Sequence, residues 1–231
     1  MYKAAQKKSL DFVISLLLLT LSLPIIMIFM LIIFITTRQS PIIIQERKTS
    51  LSDKKIKIFK LRTVKITDSL QKSCNTPNSI MFREDLKNFV SPFCGWLRKS
   101  GLDELVQLVN VLKGEMSLVG PRPLTITDLK IMKNFEPEIH REREKIKSKP
   151  GITGYWQIFG DRNKGLQNLI MLDKYYEMNK SFVLDLKLLF FTIVLVMTAK
   201  HSDSIVDSQT ENRKRLQEKV ASLKKYELID I

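Results

Sequence analysis

The sequence predicts a helix-rich α+β protein: a re-entrant helix-break-helix hairpin in a membrane, amphipathic helices at its interface, and a small β ribbon. Three observations carry this expectation. Residues Phe12 to Ile35 are 24 residues without a charge, and Pro24 sits in their middle. Residues 55–61, KIKIFKL, alternate basic and apolar side chains as a half-buried strand does. Leu102, Leu105, Val109 and Leu112 recur at helical spacing, one apolar face of a short helix.

The N-terminal run comes first. As one straight helix its residues would extend about 36 Å, against a hydrocarbon core of about 30 Å, so by length alone it could cross a bilayer. Pro24 changes that reading, because it deletes a helix hydrogen bond and bends the rod. Each half is then about 18 Å long and reaches only to mid-bilayer. Both flanks are basic: Lys3, Lys7 and Lys8 precede the run, and Arg38, Arg47, Lys48, Lys54, Lys55 and Lys57 follow it. A spanning helix should show a charge bias between its two ends, and here neither end favours crossing. The expected form is a hairpin entering and leaving by one face, with the Ser22 hydroxyl near Pro24 as a partner for the freed backbone. No small-residue cleavage site follows the run, which argues against a signal peptide.

Residues 41–66 then read as a basic β ribbon and residues 67–80 as a polar connector. Thr125–Ser148 reads as a charged helix interrupted near Pro137, with the HREREKIK stretch as a solvated face. The segment KPGITGYWQIFGDR reads as a glycine-rich, aromatic loop that either packs Tyr155 and Trp156 in the core or faces a ligand. Residues 182–198 hold an 11-residue uncharged stretch from Leu188 to Thr198, too short to span and suited to an interface. Leu216, Val220 and Leu223 suggest one more amphipathic helix in a charged tail. The expected organisation is a hairpin over 1–38, one domain over 39–200 and a tail over 201–231.

Composition narrows the function. The chain has 231 residues and a net charge of +14. The excess is concentrated: residues 1–67 hold 12 Lys/Arg against 3 Asp/Glu, a net +9. Such a surface suits nucleic acid or anionic lipid, and the apolar run decides for lipid. Cys74 and Cys94 follow no metal or disulfide spacing, which fits a reducing, cytoplasm-facing location. His140 and His201 offer neither a zinc site nor a serine–histidine pair.

The chemistry-bearing stretch is Arg98 to Pro123, RKSGLDELVQLVNVLKGEMSLVGPRP. With Ser100 as N-cap and Gly114 as the stop, Asp103 and Glu104 fall in the first turn of a helix, where unpaired N–H groups favour anions. Acids in a first turn can also be mere dipole partners. The flanks argue for more. Arg98 lies five residues before Asp103, and Arg122 is held between Pro121 and Pro123, whose rings restrict its backbone. Two carboxylates beside two guanidiniums suit a phosphate and a divalent metal.

This stretch resembles the signature of the bacterial sugar transferase family, the monotopic polyprenyl-phosphate phosphoglycosyl transferases. Other pieces agree in order: PIIIQER at 41–47, FKLRT at 59–63, KPGITGYWQ at 149–157 and DKYY at 173–176. The resemblance runs from about residue 3 to about residue 199.

It implies transfer of a phosphosugar from a UDP-sugar to undecaprenyl phosphate, with release of UMP, by a ping-pong route through a covalent aspartyl-phosphosugar. That would be the first membrane step of bacterial surface glycan assembly, at the cytoplasmic face of the inner membrane. Carried onto this chain, Asp103 is the nucleophile and Glu104 a Mg²⁺ ligand. Arg98 and Arg122 contact phosphate, Lys60 and Arg62 lie near the active site, and Gln157 and Arg162 face substrate. The implied partners are the UDP-sugar, undecaprenyl phosphate and a bilayer, with no nucleic acid; a homodimer stays open. The chain departs from the usual pattern at Gly101 and Val106, where serine and proline are common, and at Asp161-Arg162. The competing reading is a basic, membrane-anchored binding or scaffold protein without catalysis.

Overall fold

The computed structural model describes residues 4–48, 55–65, 90–161 and 164–198. The connector at 67–80, Arg162 and the tail at 201–231 lie outside these residues.

Helix α1 (Ala4–Thr37) is continuous through Pro24. Two half-helices were expected; one is found, because proline removes only its own N–H from the ladder and its neighbours can keep helical geometry. The Ser22 hydroxyl does not turn to the Thr20 carbonyl that Pro24 leaves without its usual donor. It donates to the Leu19 carbonyl at 3.3 Å. Asp11, Ser15, Ile26, Phe29, Ile33 and Thr37 are buried. With the half-buried Leu19 and Ser22 they form one stripe of three- and four-residue steps along the whole helix. The remaining faces expose Leu17, Leu21, Met27, Leu31 and Ile35. Only 17% of the most apolar 18-residue window is buried, so α1 is not the core helix of a water-soluble domain.

Both ends of α1 are fastened to the same body. Near its start, Lys7 Nζ meets Asp185 Oδ2 at 2.6 Å, and Asp11 accepts from the Ser117 hydroxyl at 2.6 Å and the Leu118 N–H at 3.4 Å. Near its end, Phe29 packs edge-on against Phe93 and Trp96, with centroids 5.7 and 6.0 Å away.

The expected ribbon is present. Strands β1 (Ile42–Lys48) and β2 (Lys55–Leu61) pair antiparallel from Ile42–Leu61 to Lys48–Lys55. The alternation holds, with Ile56 and Ile58 buried and Lys55 and Lys57 in solvent. A short third strand, β4 (Leu124–Thr125), lies on the other edge of β1.

Helix α2 (Pro92–Ser100) is capped by Ser91, whose hydroxyl accepts from the Cys94 N–H. It ends at Gly101, whose φ of 76° lies in the left-handed region that glycine enters without strain. Ser100 is therefore the last residue of α2, donating to the Leu97 carbonyl at 3.0 Å, and not the cap of the next helix. Glycine at 101 fits this reversal. A 3-10 helix (Leu102–Gln107) follows at once and runs into α3 (Leu108–Leu112). Winding at about three residues per turn displaces the apolar face from the expected one. Val106, Leu108 and Val111 are buried, while Leu102, Leu105, Val109 and Leu112 are half-buried.

Strand β3 (Ser117–Val119) pairs parallel with β5 (Gly151–Thr153). Between them run α4 (Ile126–Phe135), opened by a Thr125–Asp128 capping box, and α5 (Pro137–Glu144), which begins at the expected proline. The glycine-rich segment is this strand followed by α6 (Tyr155–Phe159), with Tyr155 and Trp156 in the core. Helices α7 (Gly165–Asn179) and α8 (Phe182–Thr198) complete the chain. Helix α8 buries Asp185, Leu188 and Leu195 and exposes Phe190, Ile193 and Met197, an interfacial pattern. Two apolar clusters form. The larger joins Ile58, Leu118, Trp156, Leu169 and Leu188; the smaller joins Ile33, Leu61, Leu97 and Val106. The 3-10 helix contributes to both, through Leu105, and α3 to the larger, which pins the acidic pair between them.

Candidate active site

Asn110 sets the depth of the acidic turn. Its side chain is fully buried and serves as a strand edge for β2, accepting from the Phe59 N–H at 3.2 Å and donating to the Lys57 carbonyl at 2.7 Å. Its amide also donates to Glu115 Oε2 at 2.7 Å. With β2 locked against α3, Lys60 near the end of β2 faces Glu104, and the two form a largely buried ion pair.

The Gly120-Pro121-Arg122-Pro123 loop approaches from the other side. Gly120 donates to the Thr153 carbonyl and Gly151 to the Pro121 carbonyl, both at 2.9 Å. The contact is so close that a Cβ on Gly151 would sit 2.1 Å from the Gly120 nitrogen. Arg122 is then gripped at its backbone. Its N–H donates to the Asp173 carboxylate at 3.2 and 3.3 Å, and its carbonyl accepts from Arg143 Nη2 at 2.5 Å. Arg143 and Asp173 complete the clamp as a buried ion pair. Arg143 is thus no part of a solvated face. Burial pushes the Asp173 carboxyl up to about 6, against the downward pull of Arg143 and the Arg122 N–H.

These elements enclose a cleft lined by Arg47, Ile58, Lys60, Glu104, Gln107, Arg122, Pro123 and Gln157. Three cations surround one carboxylate there, so the cleft favours a polyanion. Of the residues expected at the site, Lys60, Glu104, Arg122 and Gln157 come together. Asp103 is buried in the same 3-10 turn but is not one of the residues lining the cleft. Arg98, half-buried in the last turn of α2, does not line it. Neither does Arg62, whose Nε donates to the Ser40 carbonyl at 2.6 Å and ties the end of β2 to the turn after α1. Arg162 lies outside the described residues.

Two polar lining residues, Arg47 and Gln107, lie outside the expected set. Arg47 reaches the loop directly, with Nη1 3.3 Å from the Pro123 carbonyl and Nη2 2.7 Å from Gln45 Oε1. Gln107 lies three residues after Glu104, a spacing that was available as a signal because residues i and i+3 share a face of a 3-10 helix. The Arg143–Asp173 clamp joins residues 30 apart and left no local signal.

Among the described residues no group of three His, Cys, Asp or Glu could cage a metal. Glu104 is the one carboxylate lining the cleft, and it is paired with Lys60.

A helix-rich α+β fold with a long, largely exposed apolar helix and a cationic cleft suits the class of membrane-associated proteins that bind anionic ligands. The model of the bacterial sugar transferase family matches residues 2–199, and the chain belongs to that family. It is 33% identical to the UDP-galactose-lipid carrier transferase of Erwinia amylovora over 83% of this chain and 40% of the relative. It is 31% identical to the UDP-glucose:undecaprenyl-phosphate glucose-1-phosphate transferase of Klebsiella pneumoniae over 81% of this chain and 39% of the relative. An uncharacterized sugar transferase of Bacillus subtilis, EpsL, is 34% identical over 70% of this chain and 72% of its own length. The chain thus spans about two fifths of the length of the two larger relatives.

Proposed function

We propose that this protein transfers a phosphosugar from a UDP-sugar to a polyprenyl phosphate such as undecaprenyl phosphate, releasing UMP. The observation that carries the reading is the convergence of Arg47, Lys60 and Arg122 on Glu104, beside Asp103, in a cleft made of the family's motifs. Relatives named for UDP-glucose, UDP-galactose and a lipid carrier support the same donor and acceptor classes.

The chemistry proceeds in two displacements. An Asp103 carboxylate oxygen attacks the sugar-bearing phosphorus, an O–P bond forms, and the bridging P–O bond breaks to release UMP. A phosphate oxygen of the polyprenyl phosphate then attacks the same phosphorus, breaking the aspartyl bond and restoring the carboxylate. The cations spread the charge that develops on the phosphoryl oxygens. Glu104 is the residue to hold Mg²⁺, which would neutralise the phosphates against an approaching carboxylate. Lys60, paired with Glu104 in this structure, would then be released toward the phosphates.

The membrane reading is a monotopic one, with the cleft facing the cytoplasm and α1 dipping into one leaflet. Its support is the attachment of both ends of α1 to a single body, which a helix crossing the bilayer could not achieve.

The test is UMP release by protein purified in detergent, with undecaprenyl phosphate, Mg²⁺ and UDP-glucose or UDP-galactose, followed by intact mass without the acceptor. A phosphosugar adduct that forms in the wild type, forms in Glu104→Gln only slowly or at raised Mg²⁺, and is lost in Asp103→Asn supports the assignment. An adduct that survives Asp103→Asn moves the nucleophile to another residue. No UMP from any UDP-sugar with folded protein overturns the reaction.

A further inference from the structure

Gln107 is 1% exposed, lines the cleft, and its Oε1 accepts no hydrogen bond from any described residue. A buried amide oxygen in that state is costly to keep unless a ligand satisfies it. Its neighbours say which part of a ligand can. Lys60, Arg47 and Arg122 are donors and take the phosphates. An ionised diphosphate offers acceptors alone, so it cannot serve Gln107 Oε1. The matching group is an O–H or N–H carried beside the phosphates. Glu104 and Gln107 are i and i+3 of the same 3-10 helix, so their side chains eclipse at a rise of about 6 Å. That places the amide roughly one group away from the carboxylate end of the cleft.

Resting on the phosphosugar-transfer reading above, the geometry points to Gln107 as the residue that reads the substituent at C2 of the transferred sugar. In a nucleotide diphosphosugar this hydroxyl, or acetamido N–H, is the donor nearest the sugar-bearing phosphorus. Because the bond broken is P–O and the sugar's C–O bond stays intact, removing the C2 hydroxyl leaves the reacting bonds unaltered. A rate difference between the two donors therefore reports recognition.

The experiment compares kcat/KM for UMP release from UDP-glucose and UDP-galactose with that from their 2-deoxy analogues, in wild type, Gln107→Met and Gln107→Glu. For wild type the expected loss on the 2-deoxy donor is about tenfold or more. Gln107→Met, of similar length without a hydrogen-bonding group, should turn over parent and analogue alike. Gln107→Glu keeps an acceptor at the same reach and should retain the preference, which keeps the inference testable where the methionine variant does not fold. A wild type indifferent to the 2-deoxy change, or a Gln107→Met enzyme that still discriminates, overturns the assignment and leaves the reaction standing. A folded wild type that releases no UMP from any donor overturns the reaction and the assignment together.

Discussion

Arg143 and Asp173 form a buried ion pair whose two members hold the backbone of Arg122 from opposite sides. The pair orients the loop that delivers a cleft guanidinium. It is not a source of net stability, since burial raises the Asp173 carboxyl and so disfavours its charged form. Arg143→Met should therefore lower unfolding free energy by about 3 kcal/mol, because the buried Asp173 carboxyl is left without its cation. Arg143→Met with Asp173→Leu should recover most of that loss. Activity should not follow: with the Arg122 backbone released, turnover should stay down by about 100-fold in both. Denaturant unfolding beside UMP release checks the separation, and recovery of activity in the double variant would refute the positioning role.

The same residue sets a pH dependence with opposite signs for stability and rate. The folded carboxyl, near 6, lies above its unfolded value of 3.8. Its contribution to stability is fully present below the unfolded value and is lost as pH rises through about 6. Acidifying from pH 7 to 5 should thus make Asp173 favour the fold while its neutral form loosens the grip on Arg122. Turnover should fall with an apparent pKa near 6 while the melting temperature shows no matching drop. Asp173→Asn should lack this limb of the rate profile. A limb unchanged in that variant would assign it to another group.

The boundary between what was legible in the chain and what was not follows the range of the interactions. Pro137 at a helix start, the Ile56/Ile58 alternation and the rigid arginine between two prolines are local patterns, and the structure holds all three. The 3-10 winding of Leu102–Gln107 was hidden, because its residues also suit an α-helix and tertiary packing decides between them. Arg62 and Lys60 lie two apart on or just beyond one strand, and alternation alone sends their side chains to one face. The strand ends at Leu61, and Lys60 goes to Glu104 while the Arg62 guanidinium goes to the Ser40 carbonyl. Asn110 and Asp173 act on residues about 50 positions away, and no window of sequence reports that.

The contact between Gly120 and Gly151 should tolerate no side chain. An alanine at 151 places its Cβ 2.1 Å from the Gly120 nitrogen, just past β3, and 2.3 Å from the Thr153 carbonyl oxygen at the end of β5, both backbone atoms. Neither can yield without separating β3 from β5. The expected outcome for Gly151→Ala is a loss of about 2–3 kcal/mol and displacement of the loop bearing Arg122. Gly165→Ala is the control, since nothing lies within 4 Å of a Cβ there and only its φ of 67° opposes the change. A smaller loss at 151 than at 165 would contradict the packing account.

The fastening of α1 makes a prediction about topology that Pro24 alone does not. Lys7 bridges to Asp185, and Asp11 to Ser117, while the Tyr176 hydroxyl lies 2.9 Å from Asp185 Oδ1 and 3.1 Å from the Val119 carbonyl. Burial pushes the Asp185 carboxyl up, so its charge depends on Lys7 beside it. Freeing the N-terminus would leave these groups buried without partners, whereas replacing Pro24 would restore a single helix hydrogen bond. The polar fastening should dominate. Pro24→Ala alone should leave a cysteine placed at Ala5 labelled from the same side as one at Ser40. Adding Lys7→Met and Asp11→Asn should let the start of α1 leave the body, and the cysteine at position 5 should then be labelled from the opposite side in a measurable fraction of molecules. If Pro24→Ala by itself moves that cysteine across, the proline and not the polar contacts keeps the two ends of α1 on one side.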